Sequence, residues 1–144
     1  MKKIIIYIDG GSRGNPGNGA IGVVFCNEKN QVIKKFGEYL GDNITNNEAE
    51  YSALIFALKK FKTFFGKAIA QKSEVEIRSD SELMVKQLNG EYKIENEKMQ
   101  KFFMDVWNLK IDFEKIKFKH ISRDKNKEAD LLVNETLDAV LTKR

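Results

Sequence analysis

The stretch Ile4-Ile5-Ile6-Tyr7-Ile8-Asp9-Gly10-Gly11-Ser12 decides how the rest of this chain is read. Its apolar run predicts a strand over residues 3–9, and the glycines beyond it predict a turn from Gly10 to Gly19 that holds the chain's one proline, Pro16. A second run of the same kind, Val75-Glu76-Ile77-Arg78-Ser79, also ends in an acid, Asp80, and then opens a helix. Glu50 and Asp130 each fall early in a helical pattern. Carboxylates at the mouths of separate elements can converge above a sheet, where like charges repel unless cations hold them. Divalent-metal chemistry on phosphate is the natural use of such a site.

Outward from that strand, residues 20–27 and 31–39 predict two more strands, split by a hairpin turn at Asn27-Glu28-Lys29-Asn30. From Thr45 the period changes. Tyr51, Leu54, Ile55, Leu58, Phe61 and Phe65 form one helical stripe, and Thr45 with Glu48 three residues on makes a capping box that fixes its start. Residues 74–79 form a fourth strand, after which Asp80 or Ser81 caps a short helix to Leu88 that Asn89-Gly90 ends. Met99, Phe102, Phe103, Val106 and Leu109 mark another helical face, with Trp107 beside it read as core. A fifth strand spans 113–121. A last helix runs from about Lys125 to Leu141, burying Ala129, Val133, Leu137, Val140 and Leu141. Three strands followed by alternating strands and helices predict an α/β fold in one domain, residues 1–144. Its mixed five-stranded sheet is an antiparallel meander extended by parallel strands and flanked by helices.

Composition bounds the function. Charged residues make up 32% and hydrophobic ones 42%, a soluble globular balance. A net charge of +4 is compatible with a polyanionic partner without demonstrating one. The single cysteine, Cys26, lies in an apolar run; it excludes an internal disulfide and a cysteine zinc cluster and reads as a strand residue. The short apolar run after Met1-Lys2-Lys3 is neither a signal peptide core nor a membrane span, so the expectation is a cytoplasmic protein without a membrane partner. Gly17-Asn18-Gly19-Ala20-Ile21-Gly22 has the literal spacing of a dinucleotide fingerprint, but it leads into a strand where that fingerprint needs a helix.

Four words of the sequence, taken together, resemble ribonuclease H type 1: Asp9-Gly10-Gly11-Ser12 with Gly14-Asn15-Pro16-Gly17, Thr45-Asn46-Asn47-Glu48-Ala49-Glu50-Tyr51, Arg78-Ser79-Asp80-Ser81, and Asn126-Lys127-Glu128-Ala129-Asp130. They fall in that family's order and span nearly the whole chain. The resemblance implies a ribonuclease-H-like fold and an endonuclease that hydrolyses the RNA strand of RNA–DNA hybrids, leaving 5′-phosphate and 3′-hydroxyl ends. It implies Asp9, Glu50, Asp80 and Asp130 as catalytic metal ligands for two magnesium ions, with manganese able to substitute. Two such ions, about 4 Å apart, can activate a water and stabilise the departing oxygen in an in-line displacement. The family's glutamate lies five residues after the threonine, which selects Glu50 over Glu48. The resemblance further implies substrate contacts from Gly11, Ser12, Asn15, Asn46 and Asn47, with Thr45 and Asn15 as candidates to hold a DNA phosphate. A monomer is expected.

Each acid alone favours a structural reading, Asp9 as a turn former, Asp80 as an N-cap, and Glu50 and Asp130 as solvated helix carboxylates, while for Asn15 and Asn46 turn and cap chemistry stands nearly level with substrate contact; the four words in order are what favour the site. The chain also departs from the family. Its one histidine, His120, reads as a strand residue ten positions before Asp130, so Arg123, or else Lys125, becomes the candidate to steady phosphate charge. No basic, tryptophan-containing handle follows the Asp80 helix, which implies weaker, salt-dependent hybrid binding. Glu82 stands where a glutamine is common. A non-catalytic nucleic-acid-binding domain, a DNA-processing enzyme of the wider superfamily, and a nuclease that also cleaves double-stranded RNA are the competing readings.

Overall fold

The structure is a computed structural model and describes residues 2–142. β1 (Lys2–Gly14), β2 (Gly17–Cys26) and β3 (Val32–Ile44) form an antiparallel meander, and β4 (Ser73–Ser79) and β5 (Lys115–His120) add to it in parallel, giving the order β3-β2-β1-β4-β5. The helices are α1 (Asn46–Phe65), α2 (Lys67–Gln71), α3 (Glu82–Leu88), α4 (Glu97–Lys110) and α5 (Lys127–Leu141). A 3-10 turn, Arg123–Lys125, links β5 to α5. The predicted α/β order and mixed five-stranded sheet are therefore present.

One face of the sheet presents Ile4, Ile6, Ile8, Val75 and Ile77 to the stripe Tyr51, Leu54, Leu58 and Phe61 of α1. Fully burying side chains of this kind stabilises the fold by about 1.5–3 kcal/mol each. On the other face α5 packs against β1, β2 and β3 through Ala129, Val133 and Leu137. Val140 and Leu141 are only half-buried. Cys26 is buried in β2, as its neighbours predicted.

The turn expected from Gly10 to Gly19 is a correction. β1 stays extended to Gly14 and β2 begins at Gly17, so the bend is confined to Asn15-Pro16. The glycines there sit mostly in paired strands, because what they supply is missing side-chain volume and not chain reversal. β3 also runs five residues past its predicted end, where pairing with β2 sustains it despite its exposed, charged sequence. The short α2 had no sequence signal, since a five-residue helix spans too little of the 3.6 period to show one. β5 is shorter than predicted. Phe113 and Ile121 are buried but flank the strand, although the Ile121 amide still donates to the Ser79 carbonyl oxygen of β4 at 2.9 Å.

Trp107 is the second correction. It is 57% exposed, stacked on Phe103 with ring centroids 6.2 Å apart and with the Lys110 ammonium 5.0 Å over its ring. α4 docks through Met99, Phe102 and Val106. The residue after Val106 is turned about 100° away around a helix with 3.6 residues per turn.

Candidate active site

Two close backbone crossings build the site. At Gly10 the α1 backbone lies against β1, and a Cβ there would fall 2.2 Å from the carbonyl oxygen of Ala49. At Gly22, which pairs with Asp9 across the sheet, α5 lies equally close, and a Cβ would fall 2.2 Å from the carbonyl oxygen of Ala129. Any side chain at either position would push the helix away. The residue after each contacted carbonyl is an acid, Glu50 in one case and Asp130 in the other. Both are thereby brought over Asp9. Gly22, which in the sequence belonged only to the rejected fingerprint, thus has a structural task.

Asp80 completes the group from the end of β4, which runs parallel to β1 with Ser79 beside Ile8. Asp9, Glu50 and Asp80 each offer an oxygen, and these atoms lie within 4.8 Å of one another. Asp130 is not one of that group of three but lines the same cleft, and its charge acts on Asp9. The Oε2 of Glu50 is sealed from solvent and has no hydrogen-bond partner among the described residues. Burial, followed by the charges of Asp80 and Asp130, pushes the Asp9 carboxyl up to about 8. Glu50 is also raised well above its ordinary value, by burial and then by Asp9 and Asp80. Asp80 is raised by burial, against the opposing charge of Arg123. A group of carboxylates this hostile to its own charge could hold a metal ion, which would relieve the repulsion.

Glu48 and Glu50 separate cleanly. Glu48 accepts from the backbone amide of Thr45 while Thr45 Oγ1 accepts from the amide of Glu48, a complete capping box at the head of α1. Its other oxygen pairs with Lys98 of α4, and that contact holds its carboxyl below the usual range. Glu48→Gln keeps the reciprocal cap and is expected to cost less than about 1 kcal/mol of stability, with turnover unchanged. Glu50→Gln is expected to lose most turnover. Thermal melts and initial rates on both variants check this pair, and equal losses of rate would reject the division of roles.

The remaining predicted residues fall into two adjoining hollows. Gly11, Ser12, Asn46, Asn47 and Arg123 line the same cleft of about 400 Å³ as the acids. Asn15 and Thr45, with Asn46 and Asn47, line a second hollow beside it, shared with Asn96 and Met99 of the α4 region. The amide and hydroxyl of Ser12 donate to Asn46 Oδ1 at 3.0 and 3.1 Å, and the Asn46 amide donates to Asn15 Oδ1 at 3.0 Å. The hairpin tip is thus latched to the head of α1. Arg123 is 89% exposed and holds its guanidinium 3.9 Å from Asp80. His120 is an exposed residue of β5 that pairs with Ser79 and does not line the acid cleft. Glu82, which stands where a glutamine is common, is paired with Lys86 at 3.2 Å. Sequence reading missed Asn96, which caps α4 through its Oδ1 and faces the second hollow. An asparagine just before a helical pattern was the available signal.

The reverse transcriptase-like family matches residues 7–136. Ribonuclease HI of Halobacterium salinarum is 35% identical over 136 residues, covering 94% of this chain and 65% of that protein. The chain belongs to the ribonuclease H family. Among ribonuclease H structures it is similar to LC11-RNase H1, which was isolated from compost and solved in complex with an RNA/DNA hybrid. That similarity has a TM-score of 0.87 at 43% identity, over 96% of this chain and 99% of the other. The ribonuclease H1 of H. salinarum superposes with a TM-score of 0.86 at 35% identity, over 95% of this chain and 98% of that one. The bifunctional protein Rv2228c of Mycobacterium tuberculosis is 33% identical over 138 residues, or 95% of this chain and 36% of that protein. The chain therefore spans about two thirds and about one third of the length of these two curated relatives. Among the described residues no helix is long and apolar enough to cross a membrane.

Proposed function

We propose that this chain is a metal-dependent endoribonuclease that hydrolyses the RNA strand of RNA–DNA hybrids, with Asp9, Glu50, Asp80 and Asp130 as metal ligands. The observation that carries the reading is the meeting of Asp9, Glu50 and Asp80 within 4.8 Å, with one Glu50 oxygen sealed and unpartnered. Without a cation, that meeting only costs the fold energy. The donor set is all oxygen and highly anionic, which suits hard divalent cations; magnesium as a pair, with manganese as a substitute, completes the reading. When bound there, the ions supply charge neutralisation at phosphate and an activated water.

The chain's own residues supply the rest. Asp9 and Asp80 hold position from strand ends, and Glu50 and Asp130 hold theirs from helices pinned at Gly10 and Gly22, so the acids form a rigid cradle. Arg123 projects over the Asp80 side, where its charge can steady a phosphate. The amide-lined hollow of Asn15, Thr45, Asn47 and Asn96 is uncharged and rich in donors, suited to a backbone phosphate of the second strand. The hybrid bound by LC11-RNase H1, at 43% identity, supports the substrate class.

Labelled RNA–DNA, RNA–RNA and DNA–DNA duplexes, each incubated with magnesium, manganese or a chelator, test this. The expected result is metal-dependent cutting of the RNA in the hybrid, leaving 5′-phosphate ends. Cutting of DNA, equal cutting with chelator present, or tight hybrid binding with no cutting would each end the proposal. RNA–RNA cutting beside hybrid cutting would widen its substrate range.

A further inference from the structure

Asn126 stands at the head of α5, where asparagine ordinarily caps its own helix. Here it does not: no side-chain capping bond is made. The residue is 1% exposed, and its Nδ2 crosses 118 positions of sequence to donate to the carbonyl oxygen of Ile8 at 2.8 Å. Ile8 immediately precedes Asp9. The backbone carbonyl of the same asparagine accepts from the amide of Asp130 at 3.1 Å, one helical turn on. Its amide also lies within reach of the Asp80 carboxylate, where it favours the charged form. One buried residue therefore reaches the strand behind Asp9 with its side chain, begins the helix bearing Asp130 with its backbone carbonyl, and adjoins Asp80. Its Oδ1 has no partner among the described residues, so the group is not placed for its own best hydrogen bonding.

We propose that Asn126 is a positioning residue of the active site: its side-chain amide ties the carbonyl before Asp9 to the start of the helix carrying Asp130, and so fixes the spacing at which the acids share cations. A local cap would tolerate serine or aspartate and act on helix stability alone. A tie between two acid-bearing elements acts on cation binding and on the rate of reaction, and leaves the hybrid-binding hollow untouched. Asn126 lines neither the acid cleft nor that hollow.

This inference rests on the metal-dependent reading above, and its test keeps the two apart. Asn126→Ala removes the tie. Asn126→Asp keeps the shape but replaces the donor with an acceptor. For both full-length variants and wild type, manganese binding is measured by calorimetry, folding by circular dichroism, and kcat and KM on a hybrid duplex. Manganese affinity and kcat are each expected to fall by about 10- to 100-fold, the range for outer partners of metal ligands, with KM within about threefold of wild type. Unchanged manganese affinity and kcat with only a lowered melting temperature overturns the inference in favour of a structural role. So does a KM that rises as kcat falls, which marks direct substrate contact, or failure of both variants to fold. If wild type itself neither binds manganese nor cuts, the functional reading fails instead.

Discussion

Asp9→Asn is expected to lower turnover on an RNA–DNA hybrid by about 10³-fold or more, while hybrid affinity stays the same or rises. Asparagine matches the shape of aspartate, so β1 and its crossing with α1 are undisturbed. What is lost is one anionic oxygen from a group whose members lie within 4.8 Å, together with its share of cation binding. A thousandfold loss corresponds to about 4 kcal/mol of transition-state stabilisation, the size expected when a metal ligand is removed. Affinity moves the other way because one negative charge fewer faces the phosphates. Asp80→Asn is expected to behave alike. Single-turnover rates in magnesium and fluorescence anisotropy in chelator separate the two quantities. Rates within tenfold of wild type would remove Asp9 from the metal site.

The second large effect is on stability and its pH dependence. An aspartate ordinarily ionises near 3.8, but Asp9 in the fold holds its proton to about 8. Between those values the folded chain binds more protons than the unfolded one, so stability of the metal-free protein falls as pH rises through that window. A shift of this size corresponds to roughly 6 kcal/mol, lost as pH rises through about 8. Glu50 and Asp80, raised in the same direction, add to the slope. Glu48, held low by Lys98, and Glu76, whose burial is outweighed by its hydrogen bond from Arg78 together with the charges of Arg78, Lys3 and Lys119, act oppositely, but only below their ordinary value of 4.5. Melting curves from pH 5 to 8.5 in chelator are therefore expected to show a falling melting temperature. Millimolar magnesium or manganese should restore it at pH 8 and do little at pH 5, where protons already neutralise the cluster. The melting temperature of Asp9→Asn should be flatter with pH and higher than wild type at pH 8. Because protons and cations compete for the same oxygens, turnover should also fall as pH drops toward 5. A flat pH profile, or a melting temperature indifferent to cations, would show that the acids do not share a site.

Much of the fold was legible because the local signals agreed. Thr45 and Glu48 fixed the start of α1, and the structure contains both of their reciprocal bonds. The stripe from Tyr51 to Phe61 fixed the face that α1 buries. The alternation in residues 74–79 fixed β4, whose Val75, Ile77 and Ser79 all point inward. Trp107 failed because an aromatic next to an apolar stripe looks like part of it until the neighbouring elements fix the helix rotation. The glycine run failed because a missing Cβ serves a tight turn and a tight crossing equally, and sequence does not show what crosses.

The residue types and their order in the chain determined that this protein has an α/β sheet, four acids at the mouths of its elements, and a chemistry suited to cations and phosphate. Local preferences and hydrophobic period are properties of a few neighbouring residues, so the linear chain carries them. Only the tertiary structure decided that the acids meet, that Glu48 turns to Lys98 while Glu50 turns to Asp9, and that Asn126 reaches back to Ile8. Those outcomes depend on how closely helices approach strands from distant parts of the chain. Here that approach is set at Gly10 and Gly22, where a single added methyl would keep the acids apart.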